Sequence, residues 1–307
     1  MKTEILITGV TGKTGGHAAK QLLEKGIAIR VLSRKRSTII DELEKAGAEI
    51  AIGDMLDIAS LEIAFKGIKK VYFTYPFVPG LLEASANMST VAKQEGVSLF
   101  VNMSQIITRK GHDSPSTRQH WLAEQFLDWA GIGAVHLRPG LFFENLLVIA
   151  AHTIATEGNI YLPWDEGKHA GVSASDIAKV IVGILTDDKP NKHIGEKYVI
   201  TGPTSRTMAE IATIISGIID KEVKYVPITD EQWIEGIKQL PAVFNNPQFL
   251  GHAPALSEDI RDQKFDEVTE VVQQIGKTQP ITLEEFVMNH KDFFTNPEYS
   301  MLLLQSL

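Results

Sequence analysis

Glu4-Ile5-Leu6-Ile7-Thr8-Gly9-Val10-Thr11-Gly12-Lys13-Thr14-Gly15-Gly16 is the stretch on which the fold turns. A short β-branched run breaks into a glycine cluster, and the pairs Ala18/Leu22 and Ala19/Leu23 then recur four residues apart until Gly26. Strand, glycine turn and helix in that order open a βαβ unit. Glycines at 9, 12 and 15 allow a tight turn, close backbone approach to a pyrophosphate and tight packing of helix on strand. The helix N-terminus adds free N–H groups and a positive dipole end. The spacing is G-x-x-G-x-x-G rather than G-x-G-x-x-G, and a ligand-free turn would use the same residues; the position between a first strand and a first helix favours a dinucleotide. Gly12-Lys13-Thr14 looks like the end of a phosphate-cradling P-loop, but Ile7 stands where that loop needs its first glycine, which argues against ATP hydrolysis.

Outward from this turn the alternation continues. Strands are expected at Ala28–Leu32, Glu49–Ile52, Val71–Tyr75, Ser98–Met103 and Gly133–Leu137, with helical segments between them. In the last of these helices Leu122, Phe126 and Trp129 mark the apolar face. Six such strands require parallel pairing with right-handed crossovers, hence an α/β fold with a Rossmann-type doubly wound parallel sheet. After Arg138-Pro139-Gly140 the rhythm changes. A helix over Leu146–Thr153, a loop over Glu157–His169, a helix near Asp176–Leu185, a strand at Lys197–Thr201, a helix at Ala209–Ile219 and a strand at Glu222–Val226 are expected. Thr282-Leu283-Glu284-Glu285 is a capping-box spacing that opens a terminal helix through Phe286 and Phe293-Phe294. The expected division is a dinucleotide-binding domain over 1–155, to which 172–201 returns, and a smaller α+β domain on the substrate side over 202–307 with 156–171.

Composition narrows the function. The chain has 307 residues, 44% hydrophobic and 22% charged, average for a globular protein. Its 30 basic and 38 acidic side chains give a net charge of −8, so nucleic acid is not an expected partner. Cysteine is absent, which excludes disulfides, thiolate metal sites and a cysteine nucleophile. No apolar run approaches the roughly 18 residues a membrane span needs, and the N-terminus lacks a signal-peptide pattern, so a cytoplasmic protein without a membrane partner is expected. The nine histidines show no metal-ligand spacing, and all but His120 read as structural.

The end of the second strand selects the cofactor. An acid there would bind a ribose 2′-hydroxyl, and a base suits a 2′-phosphate. Here stand Ser33-Arg34-Lys35-Arg36, with Arg30 just before, and a guanidinium can hold phosphate bidentately. NADP(H) is therefore favoured over NAD(H), with Arg34 the first candidate. Asp54, followed by Met55, is placed either to accept from the adenine amino group or to cap the next helix. Thr74-Tyr75-Pro76-Phe77 lies where nicotinamide would rest, its rings lining either the site or the core.

Taken together, Thr8–Gly15, the basic turn at Arg34, Asp54, Leu137-Arg138-Pro139-Gly140 with Glu144-Asn145-Leu146-Leu147, Val172 to Asp176 to Ala178, and Ile281-Thr282-Leu283-Glu284-Glu285-Phe286 resemble the NmrA-like family, atypical members of the short-chain dehydrogenase/reductase superfamily. The resemblance spans nearly the whole chain. It implies NADP(H) binding and a small C-terminal domain closing a cleft over the nicotinamide. The family's roles divide between NADPH-dependent reductases of quinone-like or azo acceptors and NADP-sensing regulators with little or no catalysis. Superfamily reductases use a serine and, about a dozen residues later, Tyr-x-x-x-Lys. Ser104 matches the serine, but Ser116 and His120 stand where tyrosine and lysine belong, which disfavours a sugar-nucleotide epimerase. A serine hydroxyl is too weak an acid to replace tyrosine. His120, with an ordinary pKa of about 6.5, would suit proton exchange or a hydrogen bond to the nicotinamide ribose.

The expected chemistry is hydride transfer from NADPH to a small, flat electron acceptor, a quinone or azo compound, which needs no tyrosine acid. Tyr75, Phe77, Phe142 and Phe143 are the candidates to line its slot, and the loop Ile106–Gln119 reads as a substrate-side flap. The competing expectation is a redox sensor acting through a protein partner; a homo-oligomer is compatible with either.

Overall fold

The computed structural model describes residues 2–241 and 244–305. Its first part alternates as β1 (Ile5–Ile7), α1 (Lys13–Glu24), β2 (Ile29–Ser33), α2 (Thr38–Lys45), β3 (Glu49–Ile52), α3 (Ile58–Ala64), β4 (Lys70–Phe73), α4 (Leu81–Gln94), β5 (Leu99–Met103), α5 (Pro115–Ala130) and β6 (Ala134–Pro139). There follow α6 (Glu144–Ile149), α7 (Ala151–Glu157), β7 (Asn159–Leu162), β8 (Lys168–His169), α8 (Ala174–Leu185) and β9 (Lys197–Ile200). The remainder is β10 (Arg206–Thr207), α9 (Met208–Ile219), β11 (Lys224–Pro227), α10 (Asp230–Ile237), α11 (Pro247–Arg261), α12 (Val271–Gln274), α13 (Leu283–Asn289), α14 (Lys291–Thr295) and α15 (Pro297–Gln305).

Seven strands form one sheet in the order β3-β2-β1-β4-β5-β6-β9, and every neighbouring pair is parallel. Strand order reverses between β1 and β4, which opens a crevice at their carboxyl ends. Alternation along β1 explains why it sits centrally: Ile5 and Ile7 enter the core under α1 and α8, and Leu6 enters the opposite core under α3, α4 and α5. Helix α1 buries Thr14, Gly15, Ala18, Ala19 and Leu22, small residues that let it lie close to the sheet.

A second core is built from α6, α7, β7, α9, α10, α11, α13 and α14 around Trp164, Trp233, Phe286 and Phe294. Leu146, Leu147, Ala150, Ala151 and Ile154 belong to it, so packing assigns α6 and α7, expected with the sheet, to the smaller lobe. Capping boxes close the starts of α9 (Thr207–Glu210), α10 (Thr229–Gln232) and α13 (Thr282–Glu285).

Four expectations need correction. The helix over Leu146–Thr153 is two helices broken at Ala150. The stretch Glu157–His169 is not a plain loop: Asn159–Leu162 pairs in parallel with β11, and Lys168–His169 is antiparallel to β10. The terminal helix stops at His290 and restarts, so Phe293 and Phe294 lie on α14. Most informative, Leu122, Phe126 and Trp129 face outward, 44%, 45% and 79% exposed. Helix α5 instead buries Ser116, Thr117, Ala123, Glu124 and Leu127: Ala123 and Leu127 join the core shared with α4, and Glu124 meets Ser104, Arg138 and Lys197. No helix among the described residues is long and apolar enough to cross a membrane.

Candidate active site

The glycine turn has the shape of a cradle. Gly9 sits at φ +63°, and a Cβ there would lie 2.3 Å from Thr74 Cγ2. A Cβ on Gly15 would lie 2.5 Å from the carbonyl oxygens of both Thr8 and Gly9. The Gly12 N–H closes the turn by donating to the Gly9 carbonyl at 2.9 Å. Gly12 is also the N-cap of α1 and supplies no side-chain acceptor, so the first-turn N–H groups are left for an anion. Thr11, Gly12 and Lys13 are exposed around the opening, with the Lys13 ammonium 3.4 Å from the Glu144 carbonyl oxygen. Thr14 is buried beneath, its hydroxyl 2.8 Å from that of Tyr72. Thr8 Oγ1 accepts from the Thr74 N–H at 2.9 Å and ties the ends of β1 and β4 together. These features fit a dinucleotide pyrophosphate: the glycines let helix, turn and strand close up tightly, and no side-chain cap occupies the first-turn N–H groups.

The four cations near the end of β2 divide into two kinds. Arg30 pairs with Glu49 and donates to the carbonyls of Ala64 and Lys66. Arg36 is held by Asp41 and Glu44 of α2. Arg34 and Lys35 are exposed and, among the described residues, have no ion pair and no side-chain hydrogen bond, and Ser33 Oγ donates to the Lys35 carbonyl to shape the turn. Asp54 is not the cap of α3, which is Asp57. Asp54 Oδ1 accepts from the Leu56 N–H, and Asn87 donates to the Met55 carbonyl. Burial, with Asp54 and Glu83 nearby and Arg34 opposing, holds the Tyr75 phenol above its ordinary value.

Around β5 and β6 the structure revises the proton chemistry. Ser104 is buried, and its hydroxyl donates to Glu124 Oε1 at 2.7 Å, with Thr108 Oγ1 at 3.1 Å. Glu124 is wholly enclosed and also receives Arg138 (Nε, 2.9 Å) and Lys197 (3.2 Å). Although burial opposes ionisation, bonds from Arg138 and Ser104 and the nearby charges hold this carboxyl below its ordinary range. Ser104 is thus committed to a structural ion pair and has no proton for a substrate. His120 lies one turn before Glu124, its Nδ1 enclosed without a partner. Burial lowers its pKa to about 4, against the pull of Glu124. At neutral pH such a ring is uncharged, a form that can give or take a hydrogen bond.

The aromatic candidates separate. Phe143 is buried in the second core, its ring 5.4 Å from that of Phe286, and does not line the crevice. Phe142 bridges to Val172 and packs against the core beneath α1 and α8. The Tyr75 hydroxyl donates to the Pro79 carbonyl, and Pro76 is exposed. Phe77 spans the crevice, 5.6 Å from the Phe249 ring and 5.2 Å from the imidazole of His252 on α11. The expected flap is not loose: Arg109 and His112 both bond Asp259 of α11, and Ser114 bonds His252. Sequence reading missed Glu124, Asp259 and the grouping of His112 and His252 with His120. The one available signal was Arg138, a cation inside a strand that needs a buried acid.

The NmrA-like family profile matches residues 1–287. An NAD(P)H azoreductase of Xenophilus azovorans is 35% identical over 251 residues, 81% of this chain and 84% of that one. Two solved structures superpose equally well, each at a TM-score of 0.82 and 21% identity. One is a nucleoside-diphosphate-sugar epimerase of Staphylococcus aureus, covering 93% of this chain and 100% of that one. The other is an NADPH-dependent quinone oxidoreductase of Escherichia coli bound to NADPH, covering 94% and 99%. At such identities these two establish the fold alone.

Proposed function

This chain belongs to the NmrA-like family, and we propose that it is an NADPH-dependent reductase passing hydride to a flat, electron-poor acceptor of the quinone or azo class. The observation that carries the reading is the pairing of an α1 N-terminus without a side-chain cap with two cations, Arg34 and Lys35, that lie one strand away and have no ion pair among the described residues. The first would receive the diphosphate and the second a 2′-phosphate. The similarity to an NAD(P)H azoreductase supports the acceptor class.

Bound NADPH supplies the hydride. The residues of the chain position and exclude. Gly9, Gly12 and Gly15 set the backbone approach; Thr74, Tyr75 and Pro76, with Met55 and Asp54, border the dinucleotide; the neutral His120 is placed for a ribose hydroxyl. With Ser104 bonded to Glu124, Ser116 in place of a tyrosine and His120 neutral, none of these three replaces the tyrosine–lysine proton donor. Such a site suits an acceptor that takes hydride by positioning and a proton afterwards from water. It does not suit an alcohol or a sugar hydroxyl. The acceptor would lie between the sheet (1–143 with 172–201) and the smaller lobe, with Phe77 on its border.

The test is NADPH oxidation, followed by loss of dihydronicotinamide absorbance, with a panel of quinones and azo dyes. Turnover above the uncatalysed rate with at least one of them is expected. None with any would refute the reading and leave a protein that only senses the NADP+/NADPH ratio.

A further inference from the structure

One polar group of the crevice has no task in the reading above. Phe249, His252 and Asp259 share one face of α11 through three- and seven-residue spacing. Asp259 is 2% exposed and takes Arg109 Nη2 at 2.6 Å and His112 Nε2 at 2.6 Å, which fastens α11 to the segment before α5. His112 Nδ1 accepts from the Ser114 N–H at 2.9 Å, so its proton is on Nε2 and points at Asp259. Ser114 is fully buried; its oxygen accepts from the Thr117 N–H at 3.3 Å and stands 2.8 Å from His252 Nδ1. Among the described residues its hydroxyl has no other acceptor, so the hydroxyl proton goes to Nδ1 and the imidazole proton of His252 resides on Nε2.

No group of the described residues accepts from that Nε2–H, and the nitrogen is not among the fully enclosed unpartnered atoms, so it faces space that solvent or a ligand can reach. Burial, reinforced by His112 and His120 and opposed by Asp259, puts the His252 pKa at about 4, so the ring is neutral. Phe77, on the loop that follows β4, lies with its ring tilted 50° and centred 5.2 Å from this imidazole, which places the group beside the switch point of the sheet.

We propose that His252 Nε2–H is the smaller lobe's hydrogen-bond donor to the electron acceptor, holding the quinone oxygen or azo nitrogen on which negative charge collects, with Phe77 and Phe249 bordering the acceptor's ring. The proposal rests on the reductase reading and deepens it: the acceptor is a planar aromatic carrying a hydrogen-bond-accepting atom conjugated to the carbon or nitrogen that takes hydride. Hydride delivery oxidises NADPH to NADP+ and leaves a quinone as its hydroquinone monoanion. The imidazole N–H bond stays intact, and water supplies the proton that completes the hydroquinone. A neutral, preorganised donor suits this step, because its hydrogen bond strengthens as charge develops. Ser114 acts as a positioning residue, fixing the tautomer.

The test compares wild type with His252→Phe, which keeps a ring against Phe77, and His252→Gln, which restores an N–H near the Nε2 position. In His252→Phe we expect kcat/KM for a quinone to fall about 100-fold, in the range seen when one such donor is removed, with the Kd for NADPH unchanged. Affinity of the NADP+ complex for 4-nitrophenolate, a non-reducible planar anion read by its absorbance, falls at least tenfold; His252→Gln recovers much of both. If His252→Phe matches wild type in turnover and in nitrophenolate affinity, the assignment is wrong while the reductase reading stands. If wild type turns over no acceptor, the reductase reading fails, and nitrophenolate affinity alone decides the role of His252.

Discussion

Arg34→Ala is the substitution that most directly tests the cofactor reading. Of the cations clustered at the end of β2, Arg30 and Arg36 already have carboxylate partners, whereas Arg34 and Lys35 have none among the described residues. A charge-assisted hydrogen bond contributes about 1.5–3 kcal/mol. Because Arg34 is exposed and its field is screened by salt, the lower part of that range, about 1.5–2 kcal/mol, applies. At 1.4 kcal/mol per tenfold, Arg34→Ala weakens NADPH binding about 10- to 30-fold. NADH, lacking the 2′-phosphate, binds as before. Fluorescence titration of both cofactors at low and high salt measures the effect, with the NADPH-to-NADH affinity ratio falling toward unity in the variant and the wild-type ratio declining as salt rises. Arg36→Ala is the internal control and leaves the ratio unchanged, since its guanidinium is engaged on α2. Equal losses for both cofactors in Arg34→Ala, or an Arg36→Ala effect as large as that of Arg34→Ala, would refute the argument.

Three further outcomes follow from the packing and the burial. Gly15→Ala places a methyl 2.5 Å from two carbonyl oxygens, so α1 must move off β1; a loss of about 2–3 kcal/mol in urea unfolding is expected, together with loss of cofactor binding. His169 and His252 are held at about 4 by burial, below the ordinary 6.5. The unfolded chain therefore binds protons that the folded one refuses, and stability that is complete above pH 6.5 declines as pH falls toward 4. With His120 held at about 4 in the same way, urea unfolding should register about 4–6 kcal/mol lost between pH 7 and pH 5, with a shallower slope in His169→Phe. Trp129→Ser alters unfolding free energy by no more than about 0.5 kcal/mol, because the indole is 79% exposed; a core-sized loss would reinstate the face read from periodicity.

The sheet was legible because each of its first six strands is a compact apolar run bounded by glycine or a polar turn. The glycine cradle was legible for the same local reason: backbone approach leaves its mark on sequence as missing side chains. The face of α5 was misread because periodicity counts bulk, and here the small or polar Ser116, Thr117 and Glu124 turn inward, Glu124 onto Ser104 and Arg138, while Trp129 turns out. Strand β7 hid in a polar stretch because its partner, β11, is distant in the chain. Ser104 looked catalytic because its position matched a motif, and only the fold reveals Glu124 as the acceptor of its proton. His252, Ser114 and Asp259 lie far apart in the chain, so nothing local announces that they converge.

The edge of the sheet carries a consequence for synthesis. Strand β6 ends at Pro139, but its outer neighbour β9 begins only at Lys197, after α6, α7, β7, β8 and α8 have been made. Until then the emerging chain presents a bare row of backbone donors and acceptors along β6, and Glu124 lacks the ammonium of Lys197. The nascent first half is therefore open to pairing with other strands for as long as the ribosome takes to cross that interval, and its completion coincides with the arrival of the late strand.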